Sequence, residues 1–72
     1  MPWRVPNQMK IAEITFILDG GRVYTDFVPT KSEKKIANYI GKGMKRKEWI
    51  MGPMRMMTSA VVGIEVEIHS VH

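Results

Sequence analysis

The chain has 72 residues, 44% of them hydrophobic, no cysteine and a formal net charge of +4. A length of this order makes one domain and buries only about 60% of the surface that the unfolded chain exposes. Without cysteine, disulfide staples and thiolate zinc sites are excluded, so stability rests on a tight small core or on self-association, which the generous apolar fraction favours.

Residues 1–9 hold two prolines and no hydrophobic period, and read as an irregular lead-in with Trp3 capping the edge of the core. The stretch lacks the apolar run of a secretory signal, and nothing later approaches the roughly 18 apolar residues of a membrane span. A soluble cytoplasmic protein with no membrane contact is expected. From Lys10 to Leu18 the even positions Ala12, Ile14, Phe16 and Leu18 are apolar, with Glu13 and Thr15 between them. A period of two with β-branched residues predicts a strand. Asp19-Gly20-Gly21 predicts a tight turn, because glycine adopts positive φ without steric cost. Arg22 to Val28 alternates again, with Val23, Thr25 and Phe27 on one face and Arg22, Tyr24 and Asp26 on the other. Residues 10–28 are therefore expected to form a β-hairpin.

Pro29 closes the hairpin, and Thr30-Lys31-Ser32-Glu33 fits a capping box with Thr30 as the helix cap. Ile36, Ala37, Tyr39 and Ile40 form one apolar stripe, while Lys31, Lys34, Lys35 and Asn38 face away from it. Gly41 or Gly43 is expected to supply the left-handed residue that ends the helix, which then covers 30–41. Strands are predicted over 45–69. Trp49-Ile50-Met51 favours one, Gly52-Pro53 is a turn, and Met54 to Thr58 returns. Val61 to His69 then alternates, with Val62, Ile64, Val66 and Ile68 inward and Gly63, Glu65, Glu67 and His69 outward. Thr58-Ser59-Ala60 is either a bend in one long strand or a break between two. The expected fold is α+β, in the order β-β-α-β-β(-β): a small antiparallel sheet of four or five strands with one helix packed on a face. The other face, with Ile11, Ile17, Tyr24 and Val28 among polar neighbours, is left exposed or paired with a second copy.

Charge is unevenly spread. Residues 31–55 carry eight of the 11 lysines and arginines but only Glu33 and Glu48 of the acidic groups. The densest stretch is Gly41-Lys42-Gly43-Met44-Lys45-Arg46-Lys47-Glu48-Trp49. As an anion clamp, Lys42, Lys45, Arg46 and Lys47 would pair phosphates and Trp49 would stack on a base. As plain structure, the same cations complement a helix C-terminus. The spacing is not a Walker-type phosphate loop. Strand alternation puts Lys45, Lys47 and Trp49 on one face, with Arg46, Glu48 and Ile50 on the other.

Met51, Met54, Met56 and Met57 make a soft apolar cluster, read either as a protein interface or as filling of the core. Met56 and Met57 must take opposite faces of a strand. His69 and His72 are spaced for a shared metal only on a helix, so no metal site and no cofactor is expected. Asp19 and Asp26 fit turn chemistry and a polar surface. No nucleophile has a base beside it in sequence, and an enzyme is not expected.

The arrangement of Asp19-Gly20-Gly21-Arg22-Val23-Tyr24, then Glu33 to Ile40, then Trp49, then Thr58-Ser59 leading into Ile64-Glu65-Val66 resembles small uncharacterised phage and prophage proteins. The resemblance implies a small accessory protein acting on a host component, and assigns no functional residue. Two functions compete: a non-enzymatic interaction protein that self-associates into a homo-oligomer, and a nucleic-acid or nucleotide binder using 42–49.

Overall fold

Alternation along Lys10–Leu18 is realised as a strand, β1, with Ala12, Ile14, Phe16 and Leu18 all buried. The computed structural model describes residues 10–70; the lead-in 1–9 with Trp3, and His72, lie outside the described residues. After β1 come β2 (Val23–Thr30), α1 (Glu33–Met44), β3 (Glu48–Met51), β4 (Met54–Met57), a 3-10 turn (Thr58–Ala60) and β5 (Val61–Ser70). The turn between β1 and β2 has Gly20 and Gly21 at φ 89° and 87°, a region closed to most side chains. It is closed by Leu18 N–H donating to the Arg22 carbonyl at 2.7 Å.

The α+β class holds, but the single sheet of four or five strands does not. Three strands form an antiparallel sheet in the order β2-β1-β5, and β3 and β4 form a separate two-stranded ladder. The central strand has both edges occupied, and the 3-10 turn redirects the chain between β4 and β5. Trp49 and Met56, paired in register, point into the core, so their hairpin packs over the sheet beside α1 instead of extending it. The 3-10 turn also decides that 54–69 is two strands.

Register assigns the faces. Phe16 lies opposite Tyr24 and Ile64, and Ala12 opposite Val28 and Ile68. Tyr24 and Val28 therefore belong to the core face, not to the outer face where the sequence put them. The outer face carries Ile11, Glu13, Thr15 and Ile17 on β1, flanked by Val23 and Phe27 on one side and Glu65 and Glu67 on the other. Val62 is also reversed: a bulge at Ile17/Leu18 pairs Leu18 with Val61 and leaves Val62 68% exposed. A bulge inserts one residue and so inverts the alternation on either side of it. Ile64, Val66 and Ile68 keep the core side.

The helix is capped by Ser32, whose Oγ accepts from Lys35 N–H at 3.2 Å. Thr30 is displaced from that role because it is buried at the end of β2, where its hydroxyl donates to the Ser32 carbonyl at 2.9 Å. Nor does a glycine end the helix. Gly41 and Gly43 are helical, α1 runs to Met44, and Lys45 is the C-cap at φ −78°. Gly43 serves packing instead: a Cβ there would lie 2.2 Å from Trp49 Cζ3. The missing side chain lets the indole press against the helix backbone. Complete burial of Ile14 and Phe16 contributes about 1.5–3 kcal/mol each.

Candidate functional site

The basic segment leaves the helix at Lys45, whose N–H bonds back to the Lys42 carbonyl at 3.3 Å; Arg46 N–H bonds to the Gly43 carbonyl at 3.1 Å. Residues 45–47 precede β3, so strand alternation does not apply to them. Their backbone is pinned from the far end of the β3–β4 hairpin. Thr58 Oγ1 donates to the carbonyls of Arg46 and Lys47, and Thr58 N–H reaches the Lys47 carbonyl at 3.0 Å. The main chain of the segment is thus fixed, while Lys42, Lys45, Arg46 and Lys47 all keep exposed side chains.

Trp49 does not join them. It is 4% exposed, and its Nε1–H donates to Asp26 Oδ2 at 3.0 Å. Its ring lies 4.8 Å from Phe16 and 5.4 Å, edge-on, from Tyr39. The indole is a core element held by Gly43, Phe16 and Asp26, and no ligand base can stack on it without opening the fold. Asp26 in turn is not a solvated surface carboxylate: it sits half-buried on the core face and accepts from the indole. Lys45, Lys47 and Trp49 share no face. Glu48 and Ile50 do share the outer face of β3, and Glu48 pairs with Arg55 there at 3.8 Å, both well exposed.

Tyr39 and Ala37, which the sequence assigned to the apolar stripe of the helix with Ile36 and Ile40, are exposed, and Tyr39 was given no binding role. It lies at the border of the apolar stripe, one helical turn before Lys42, and is exposed. Together with Lys42, Arg46 and Lys47 it lines a shallow cavity of about 470 Å³. A second depression of about 450 Å³ lies on the other side of the segment, lined by Lys45, Met57 and Ser59 among others. The signal for Tyr39 was present in its three-residue spacing from Lys42.

Helix geometry extends the basic surface well beyond 42–47. At about 100° per residue, Lys34, Lys35, Asn38, Lys42 and Lys45 fall within a sector of about 100°, opposite buried Ile36 and half-buried Ile40. All five are exposed, and Lys31 lies just ahead of the cap. The stripe is about 16 Å long. Among the described residues, the charged or potentially charged contacts are the Arg55–Glu48 ion pair and the His69–Glu13 hydrogen bond, so the stripe and the segment are in none.

The methionines split. Met56 is 3% exposed and belongs to the core, Met51 is half-buried, and Met54 and Met57 are exposed, Met57 at 59%. Met56 and Met57 do take opposite faces. Ile50 joins Met57 as an exposed apolar group on the outer side of this hairpin.

On the outer face of the three-stranded sheet, Glu13 stands opposite Glu67, and His69 Nε2 lies 2.9 Å from Glu13 Oε1. The ligand atoms of Glu13, Glu67 and His69 lie within 4.8 Å of one another, a set that a divalent cation can bridge, although such exposed groups are common without an ion. Only the β1–β5 register brings Glu13 to this pair, and sequence spacing carries no trace of it.

Among the described residues no helix is long and apolar enough to cross a membrane. No family model matches the chain, and no curated protein or solved structure matches it either.

Proposed function

We propose that this chain is a small non-enzymatic binding protein whose ligand is the phosphate backbone of a nucleic acid, held along the outward face of α1 and the segment 42–47. The observation that carries this reading is the placement of Lys34 and Lys35 in the first turn of α1. Cations near a helix N-terminus oppose the macrodipole and cost about 0.3–1 kcal/mol each. Cations at the C-terminus are explained by that dipole; cations at the N-terminus are not. A stripe of lysines that outnumbers the one acid of the first turn, Glu33, is in no ion pair among the described residues and continues into a backbone-fixed basic segment suits an external polyanion. Tyr39 beside Lys42 offers a ring to an unpaired base, which favours single strands over duplex.

The test is titration of labelled single-stranded and duplex oligonucleotides over a range of salt. Log affinity should fall linearly with log salt, by about 0.7 units per phosphate neutralised on a single strand. Replacing Lys34, Lys35 and Lys42 by glutamine should lower that slope by about two. Absence of binding at low salt, or an unchanged slope, would sink the proposal.

A second reading, self-association, is favoured by the outer sheet face, where Phe27 is 60% exposed near exposed Val23 and half-buried Ile17. Light scattering at micromolar concentration tests it. A strict monomer whose state ignores Phe27→Ser removes it.

A further inference from the structure

We infer that the free edge of β5 is a docking site for an extended segment of another protein in which apolar and basic residues alternate. The inference is independent of nucleic-acid binding by α1. Three observations converge on this edge. The first is the strand itself. β5 is ten residues long, pairs only with β1 among the described residues, and contains no proline, lysine or arginine. Exposed edges are normally blunted by proline, charge or a bulge, because their unpaired N–H and C=O groups recruit other strands; on β5 the bulge lies near its start and the charges are Glu65 and Glu67, so Gly63–Ser70 keeps a regular ladder. The opposite edge strand, β2, does contain Pro29. The two edges of one sheet are thus treated differently.

The second observation is the groove beside that edge. α1 packs most closely against β2 and β3. Between the helix and β5 lies an open cavity of about 640 Å³, lined by apolar Ile36, Ala37, Ile40, Val66 and Ile68 together with Glu33 and Glu67. A strand added about 4.8 Å beyond β5 would turn every second side chain toward this groove. Those side chains should be apolar.

The third is charge. The alternate side chains of an added strand would lie on the outer face, next to Glu65 and Glu67, with Glu13 behind Glu67. Neither Glu65 nor Glu67 is in an ion pair among the described residues. Cross-strand neighbours of opposite charge stabilise a ladder and like charges destabilise it. The same rule disfavours a second copy as the occupant. Antiparallel self-pairing centred on Val66 would set Glu65 of each copy opposite Glu67 of the other. A basic-apolar strand meets both faces; another β5 does not.

The probe is a fluorescein-labelled short peptide alternating valine and lysine, titrated into the full chain by anisotropy. Three control peptides accompany it: the same composition in block order, valine alternating with glutamate, and the alternating peptide methylated on successive edge-facing amides. Saturable binding of the alternating peptide alone is expected. Glu65→Lys with Glu67→Lys should weaken it about tenfold or more. Ala37→Glu, in the exposed wall of the groove, should weaken it independently. Circular dichroism verifies that each variant is folded. Equal binding of the block-order peptide would reduce the effect to charge and overturn the docking site, as would indifference to amide methylation. Failure of the alternating peptide to bind overturns it too. So does a dimer, or occupancy by residues 1–9 of the same chain, that the peptide cannot displace.

Discussion

Trp49 and Asp26, 23 residues apart in sequence, are joined by one hydrogen bond of 3.0 Å from the indole Nε1–H to the carboxylate Oδ2. The bond ties the β3–β4 hairpin to β2 across the core. Asp26→Ala leaves the indole donor with no partner in a nearly dry site, at an expected cost of about 1–3 kcal/mol. Trp49→Phe leaves the carboxylate without its donor. Urea denaturation of both single variants and the double variant should give a double-mutant cost smaller than the sum of the two. Strict additivity would mean that the bond contributes nothing.

Gly41 and Gly43 lie two residues apart in one helix and should respond to alanine with opposite signs. Nothing lies within 4 Å of a Cβ at Gly41, so Gly41→Ala should stabilise by about 0.5–1 kcal/mol through lower backbone entropy in the unfolded chain. At Gly43 a Cβ would overlap the Trp49 ring, and Gly43→Ala should destabilise by about 1–3 kcal/mol. Thermal unfolding of the two variants checks this. A gain in stability at Gly43 would show that the indole can yield.

Thr58→Val keeps the shape of the side chain but removes the hydroxyl that donates to the carbonyls of Arg46 and Lys47. A loss of about 1 kcal/mol is expected. Amide exchange over 46–48 should quicken more than at Phe16. Uniform quickening along the chain would deny the local role of Thr58.

Lys34→Glu and Lys45→Glu separate binding from stability. Both remove a cation from the outward stripe of α1, and both should weaken oligonucleotide binding in low salt. Their effects on unfolding should be opposite. A negative charge in the first turn favours the helix by about 0.3–1 kcal/mol, and one at the C-cap disfavours it by a similar amount. If Lys34→Glu raises the midpoint while leaving binding intact, the N-terminal lysines have no part in an anion site.

Much of the fold is legible in the sequence. Alternation along Lys10–Leu18 named the four buried residues of the central strand, and Gly20 and Gly21 named the turn. Ile36 and Ile40 fixed the inner side of the helix, and with it the lysine face. These features are local: period, turn chemistry and handedness act over a few residues, so the sequence by itself determines them.

What lay beyond it depended on partners far along the chain. Alternation predicted two faces for β2, and the face with Tyr24 and Val28 was expected outside; pairing of Phe16 with Tyr24 places it inside. A single bulge opposite Leu18 turned Val62 outward, and no local property of Val61-Val62-Gly63 announces it. Trp49 looked like a ligand platform because its neighbours are cations, yet its surroundings in space are Phe16, Gly43 and Asp26. Glu13 meets His69 only through the β1–β5 register. Burial and register are set by which strands become neighbours. That choice minimises exposed apolar surface over the whole chain at once, so it belongs to the tertiary structure alone.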